Sequence, residues 1–200
     1  MMAADLIGFL DRPDTTPAVQ RLFEADLDEM GFVMNVSRLW AYQPETFAAL
    51  FDLIRRTSTD RGLTLRQRGI LVAAAASAFG DSYCSLAWGS RLAEASDADT
   101  AAGVLTGGDD GLEPAERAMA RWARHVARGP GRTTEADVLA MRDAGYGDAE
   151  IFTITVFVAL RVALSAVNNA LGVQPDAQYR STAPAEVLEA VTFGRPIHEP

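Results

Sequence analysis

Residues 151–167 read IFTITVFVALRVALSAV, a run without glycine, proline or any acidic group, in which Arg161 is the only charge. The run outlasts an ordinary strand and continues to Ala170 without a turn residue, so length and periodicity predict a helix. It is short for a bilayer span and carries an arginine where a membrane disfavours one, so a buried core helix is expected. A second segment, residues 71–79 (LVAAAASAF), has no charged face and is dense in alanine, which lets helices approach closely. These two are expected to form the core pair, with amphipathic helices outside them or at a subunit interface.

Helix punctuation recurs along the rest of the chain. Thr16-Pro17 reads as an N-cap and first-turn proline, closed by Gly31, and Pro44 opens a segment to about Arg56. Thr64 and Gln67 have capping-box spacing ahead of a helix that ends at Gly80. Pro114 opens a helix closed by Gly129, Thr134 with Asp137 caps another that stops at Gly145, and Asp148 precedes the long apolar segment, which ends at Gly172. Residues 8–16, 106–111, 129–132 and the tail after Pro175 read as loops. The expectation is an all-α fold of seven to nine helices, a single domain over residues 1–200 with a core at 17–176 and a C-terminal tail at 177–200. There is no internal repeat.

Composition excludes several functions. A net charge of -9 and a pI near 4.7 oppose nucleic-acid and anionic-membrane partners. The 18 basic residues are all arginine, so lysine Schiff-base chemistry and a phosphate-loop lysine are excluded. Cys84 is the only cysteine, and beside His125 and His198 it supplies neither an internal disulfide nor a structural zinc set, so no metal or cofactor is expected. Residues 1–10 carry Asp5 and no basic cluster, unlike a secretory signal, which makes a cytoplasmic location the expectation.

Chemistry concentrates around Cys84. If Asp81 caps the helix that follows Gly80, Cys84 takes its third position, where free amides and the helix dipole favour a thiolate, while the Asp81 carboxylate opposes one. The residues leave that balance open. Trp88, one turn on, can be a pocket wall or ordinary packing. His125 sits at the edge of the stripe formed by Ala115, Met119, Trp122 and Val126, as a half-exposed helix histidine or a base. Arg161 is read as half of an internal or intersubunit ion pair ahead of a substrate-carboxylate ligand. Asn168 and Asn169 read as helix-end polar residues, and Arg66 and Arg68 as a solvated face.

The segment at residues 63–92, LTLRQRGILVAAAASAFGDSYCSLAWGSRL, resembles the carboxymuconolactone decarboxylase and AhpD-like alkylhydroperoxidase superfamily, in particular its peroxidase-related branch. The GFVMNV stretch at residues 31–36, LEPAERA at 112–118, TEADVLAMRDAGYGDAEI at 134–151, ALGVQPD at 170–176 and FGRPI at 193–197 resemble it too. The resemblance implies an AhpD-like helical bundle, a homo-oligomer, and a redox site of a glutamate, C-x-x-C and a histidine. Carried over by position, the second cysteine is Cys84, but the first falls on Asp81, the histidine on Trp88 and the glutamate on Gly69. An internal disulfide cycle is therefore impossible. Three readings follow. Cys84 can be a one-cysteine catalytic thiol, acting on a small-molecule substrate such as a hydroperoxide and resolved by an external thiol. The site can be a recast small-ligand pocket built from Asp81, Trp88 and His125. Or the chain can be a structural paralogue in which Cys84 is a small buried hydrophobe. Decarboxylation of a lactone dicarboxylate ranks below redox chemistry.

Overall fold

A computed structural model describes residues 6–199. Part of the N-terminal reading, residues 1–5, lies outside the described residues. The fold is helical: α1 (Pro17–Met30), α2 (Asn35–Trp40), α3 (Pro44–Arg56), α4 (Leu65–Phe79), α5 (Ser82–Ala95), α6 (Ala98–Thr106), α7 (Pro114–Arg128), α8 (Glu135–Asp143), α9 (Asp148–Ala170), α10 (Tyr179–Thr182) and α11 (Ala185–Ala190). The only strands among the described residues form a small antiparallel hairpin, β1 (Leu6–Ile7) and β2 (Leu10–Asp11). The eleven helices of the described residues exceed the seven to nine expected, because α2, α10 and α11 are too short to show a periodic stripe.

The strong local signals act where the sequence places them. Thr16 caps α1, accepting from the Val19 amide, and Thr64 and Gln67 exchange the two hydrogen bonds of a capping box at the start of α4. Gly80 ends α4 in the left-handed region, at φ 80°, and hands the chain directly to α5.

Alanine-rich α4 is the central helix. Its residues from Gly69 to Ala76 are buried, and it packs most extensively on α7 and α5, then on α9 and α6. The expected pair of α4 and α9 is therefore one contact among several. Arg66 is not a solvated residue: it ties α4 to α7 through an ion pair with Glu116 at 2.7 Å. The tail expected to be loop contains α10 and α11, and α11 packs on α6 and α5 through the fully buried Val187. Within the Thr106–Gly111 loop, Asp109 forms a mostly buried ion pair with Arg124 of α7 at 2.7 Å.

Helix α9 reaches 23 residues, six more than the apolar run, and among the described residues it alone is long and apolar enough to cross a membrane. Its inner face carries Ile151, Ile154, Phe157, Val158, Arg161, Leu164 and Asn168, all buried, while Phe152 on the outer face is exposed. Arg161 thus interrupts the apolar run on the side that faces the protein, not the side that faces out.

Candidate functional site

Asp81 is the N-cap of α5. Its Oδ1 accepts a hydrogen bond from the Cys84 amide at 3.1 Å, which fixes Cys84 at the third helical position, as the spacing predicts. The Cys84 sulfur meets a group from the far end of the sequence: the Arg161 guanidinium, with Nη2 at 3.6 Å. The same guanidinium lies 5.1 Å from the centre of the Trp88 ring, and Arg91 lies 5.2 Å from it.

Arg161 is 5% exposed, and no carboxylate among the described residues lies within ion-pair distance of it. The internal ion pair expected of it is therefore not formed among the described residues. Its polar neighbours are a thiol and an aromatic face, and its Nε has no hydrogen-bond partner. Burial pulls the guanidinium pKa down, and the nearby Cys84 and Asp81 pull it back up.

The balance left open at Cys84 is decided by burial. Desolvation, reinforced by the Asp81 charge, pushes the thiol up to about 12 in spite of Arg161 and a hydrogen bond with Ser165. The helix N-terminus does not produce a resting thiolate here, so fast alkylation below neutral pH is not expected of this thiol.

Cys84, Trp88 and Arg161 share the wall of a cavity of about 370 Å³. Its aromatic lining comes from Phe47, Phe51, Tyr83, Trp88, Phe157 and Tyr179, contributed by α3, α5, α9 and α10. Below it lies a buried polar network: the Tyr83 hydroxyl donates to Asp176 Oδ2 at 2.6 Å, and Asp176 Oδ1 accepts from the Asn35 amide at 2.7 Å. Burial raises the pKa of Asp176 and, well above its usual value, that of Tyr83. The GFVMNV and ALGVQPD stretches meet here, for the Asn35 side chain also donates to the Gln174 carbonyl at 3.1 Å.

Two of the four residues singled out as a site, Cys84 and Trp88, line this cavity, and two do not. Asp81 is fully buried, as a cap with Oδ2 unpartnered, and is not among the residues that line the cavity. His125 is elsewhere, on α7 and outside the cavity lining, half-exposed with its Nδ1 3.2 Å from Asp137. Sequence reasoning missed Asn168, Tyr179 and Arg68. Asn168 is not a loose helix-end residue: it is 1% exposed, its Oδ1 accepts from Trp40 Nε1 at 2.9 Å, and its Nδ2 is left without a partner at the cavity. An asparagine on the same helix face as Arg161, seven residues on, was the available signal.

No family model matches the chain, and no curated protein matches it in sequence. Solved structures do. The chain is similar to an AhpD-core, peroxidase-related protein from Ralstonia eutropha JMP134, with 26% identity and a TM-score of 0.76 over 88% of this chain and 96% of that one. It is also similar to a peroxidase-related protein from Silicibacter sp. TM1040, at 22% identity and a TM-score of 0.77 over 91% and 98% of the two chains. A third similar structure is a Cys-to-Ala variant of the debrominase Bmp8 in complex with 2,3,4-tribromopyrrole, at 20% identity and a TM-score of 0.69 over 94% and 98%. The last two likenesses are of fold alone. The helical architecture, the buried α4–α5 junction and these likenesses agree: the chain has an AhpD-like fold.

Proposed function

We propose that this chain is a thiol-dependent oxidoreductase of small organic molecules, with Cys84 as its one redox atom. The observation that carries the reading is the Cys84 sulfur in the wall of a cavity of about 370 Å³, 3.6 Å from a buried guanidinium that forms no ion pair among the described residues. Arg161 is placed to stabilise negative charge as it develops on sulfur during reaction, where a preorganised cation is most effective.

With a hydroperoxide, the sulfur attacks the terminal oxygen. The S–O bond forms as the O–O bond breaks, and the thiol proton ends on the departing alkoxide, giving an alcohol and Cys84 sulfenic acid. Having no second cysteine, the chain needs an external thiol, which condenses with the sulfenic acid to a mixed disulfide and water. A second external thiol then releases the Cys84 thiol and departs in a disulfide.

The aromatic lining favours a second reading on the same residues, reductive dehalogenation of a small heteroaromatic, as the presence of a debrominase among the similar folds suggests. There the carbon–bromine bond becomes carbon–hydrogen, bromide and a proton are released, and two external thiols become a disulfide. Both readings are tested by supplying dithiothreitol with cumene hydroperoxide or with 2,3,4-tribromopyrrole and measuring alcohol or bromide. Turnover that is lost in Cys84→Ser is expected for at least one. Equal rates for wild type and Cys84→Ser with both substrates would overturn the proposal.

A further inference from the structure

We infer that the Cys84 cavity is built for a small organic anion, held by Arg161, Arg68 and the Asn168 amide with its apolar body against α1 and α3. The inference rests on the reading of this cavity as the substrate site and names the class of molecule it takes.

Three buried side-chain atoms on cavity-lining residues lack a hydrogen-bond partner, namely Arg68 Nε, Arg161 Nε and Asn168 Nδ2. All three are donors. Among the described residues the unpartnered buried oxygens, on Ser37, Asp81 and Ser85, belong to residues that do not line the cavity, as do two further unpartnered donors, Arg124 Nε and Arg195 Nε. Leaving a buried donor unmade costs about 1–3 kcal/mol, and more for a charged group, so a set of orphans of one sign describes the complement of a ligand rich in acceptors.

Charge sharpens the assignment from acceptor to anion. Of the other ionic groups on the wall, Arg55 is paired with Asp52 and Asp60, Arg91 lies 3.4 Å from Glu29, and Asp26 accepts from the Met34 amide at 2.9 Å. Arg68 and Arg161 remain without a carboxylate partner among the described residues, two cations facing one cavity. At about 370 Å³ the cavity is at the small end of ligand sites, and Met30, Met34, Phe47, Phe51 and Ile54 offer an apolar wall.

The test uses the intact Cys84→Ser chain, so that binding is read apart from chemistry. Benzoate, phenylacetate and hexanoate are titrated by calorimetry, each beside its own primary amide. At least one carboxylate is expected to bind ten-fold or more tightly than its amide. That preference should weaken with added salt, fall in Arg68→Gln and vanish in Arg161→Gln, and in the wild type the same carboxylate should shield Cys84 from N-ethylmaleimide. Arg68 is half-buried, so Arg68→Gln keeps the test alive if the Arg161 variant does not fold. Carboxylates that bind no tighter than their amides, or a preference unchanged in both arginine variants, would overturn the inference. A carboxylate preference without any Cys84-dependent turnover upholds the anion site and overturns the redox reading. Cys84-dependent turnover with no such preference does the reverse.

Discussion

Replacing Asp81 by asparagine separates the two electrostatic influences that meet at Cys84. Asparagine keeps an oxygen for the Cys84 amide, so the cap that starts α5 survives, and only the charge is lost. That charge is one of the causes holding the thiol up to about 12, and its Oδ2 is buried with no partner to disperse it. For two unit charges roughly 5 Å apart in a medium of effective dielectric constant near 20, the repulsion is about 3 kcal/mol, or about two pH units on the thiol. The assay is the rate of iodoacetamide addition to Cys84, followed by mass spectrometry between pH 7 and 10. In the wild type roughly one thiol in a hundred thousand is ionised at pH 7, so the rate should climb about ten-fold per pH unit across the whole range. Asp81→Asn should run parallel and about 100-fold faster. A wild-type profile that levels off below pH 9 would show that the helix terminus outweighs burial, and superimposable profiles would show that Asp81 does not act on the sulfur.

Asp176 gives a stability signature of the opposite kind. Burial raises its pKa, so its protonated form favours the fold, and the stability it contributes at acid pH is lost as pH rises through the raised value. Thermal melts between pH 4 and 7 should therefore lose more stability on the alkaline side in the wild type than in Asp176→Asn, whose amide can still meet Asn35 and Tyr83. Asp109→Ala leaves Arg124 buried without its carboxylate and should cost about 3–5 kcal/mol in urea unfolding. Gly69→Glu would place a Cβ 3.0 Å from Leu92 Cβ and 3.2 Å from Leu92 Cα, and should destabilise by at least about 3 kcal/mol through overpacking and a buried carboxylate. Unfolding midpoints within experimental error of wild type would refute either of these last two assignments.

What the sequence made legible is local, and what it hid is not. The Thr64–Gln67 box, the Gly80 stop and the Asp81 cap each depend on groups within four residues of one another, so spacing alone reveals them. The cavity draws its walls from seven helices between Asp26 and Tyr179, and no spacing rule joins Cys84 to Arg161 or Asn168 to Trp40. A buried arginine on an apolar helix suggested an acidic partner because bare charges are costly inside proteins. The structure meets that cost instead with a thiol, an aromatic face and an open cavity, an arrangement invisible to charge counting.

The same contrast bears on how this site departs from the redox motif it resembles. By the positions the resemblance implies, the glutamate, the first cysteine and the histidine of that motif fall on Gly69, Asp81 and Trp88, so three substitutions would place those residue types here. The structure rules out so simple an exchange. Gly69 lies where α4 and α5 touch, leaving no room for a side chain before Leu92 must move. Trp88 carries two guanidiniums within 5.2 Å of its ring, so a smaller histidine would strip Arg161 of its aromatic partner while adding a third group able to carry positive charge. Asp81 holds the first turn of α5 through an oxygen, and a cysteine there would leave the Cys84 amide without its acceptor. Each altered residue is thus committed to packing or capping, and the spacing of α4 and α5 has closed around the change.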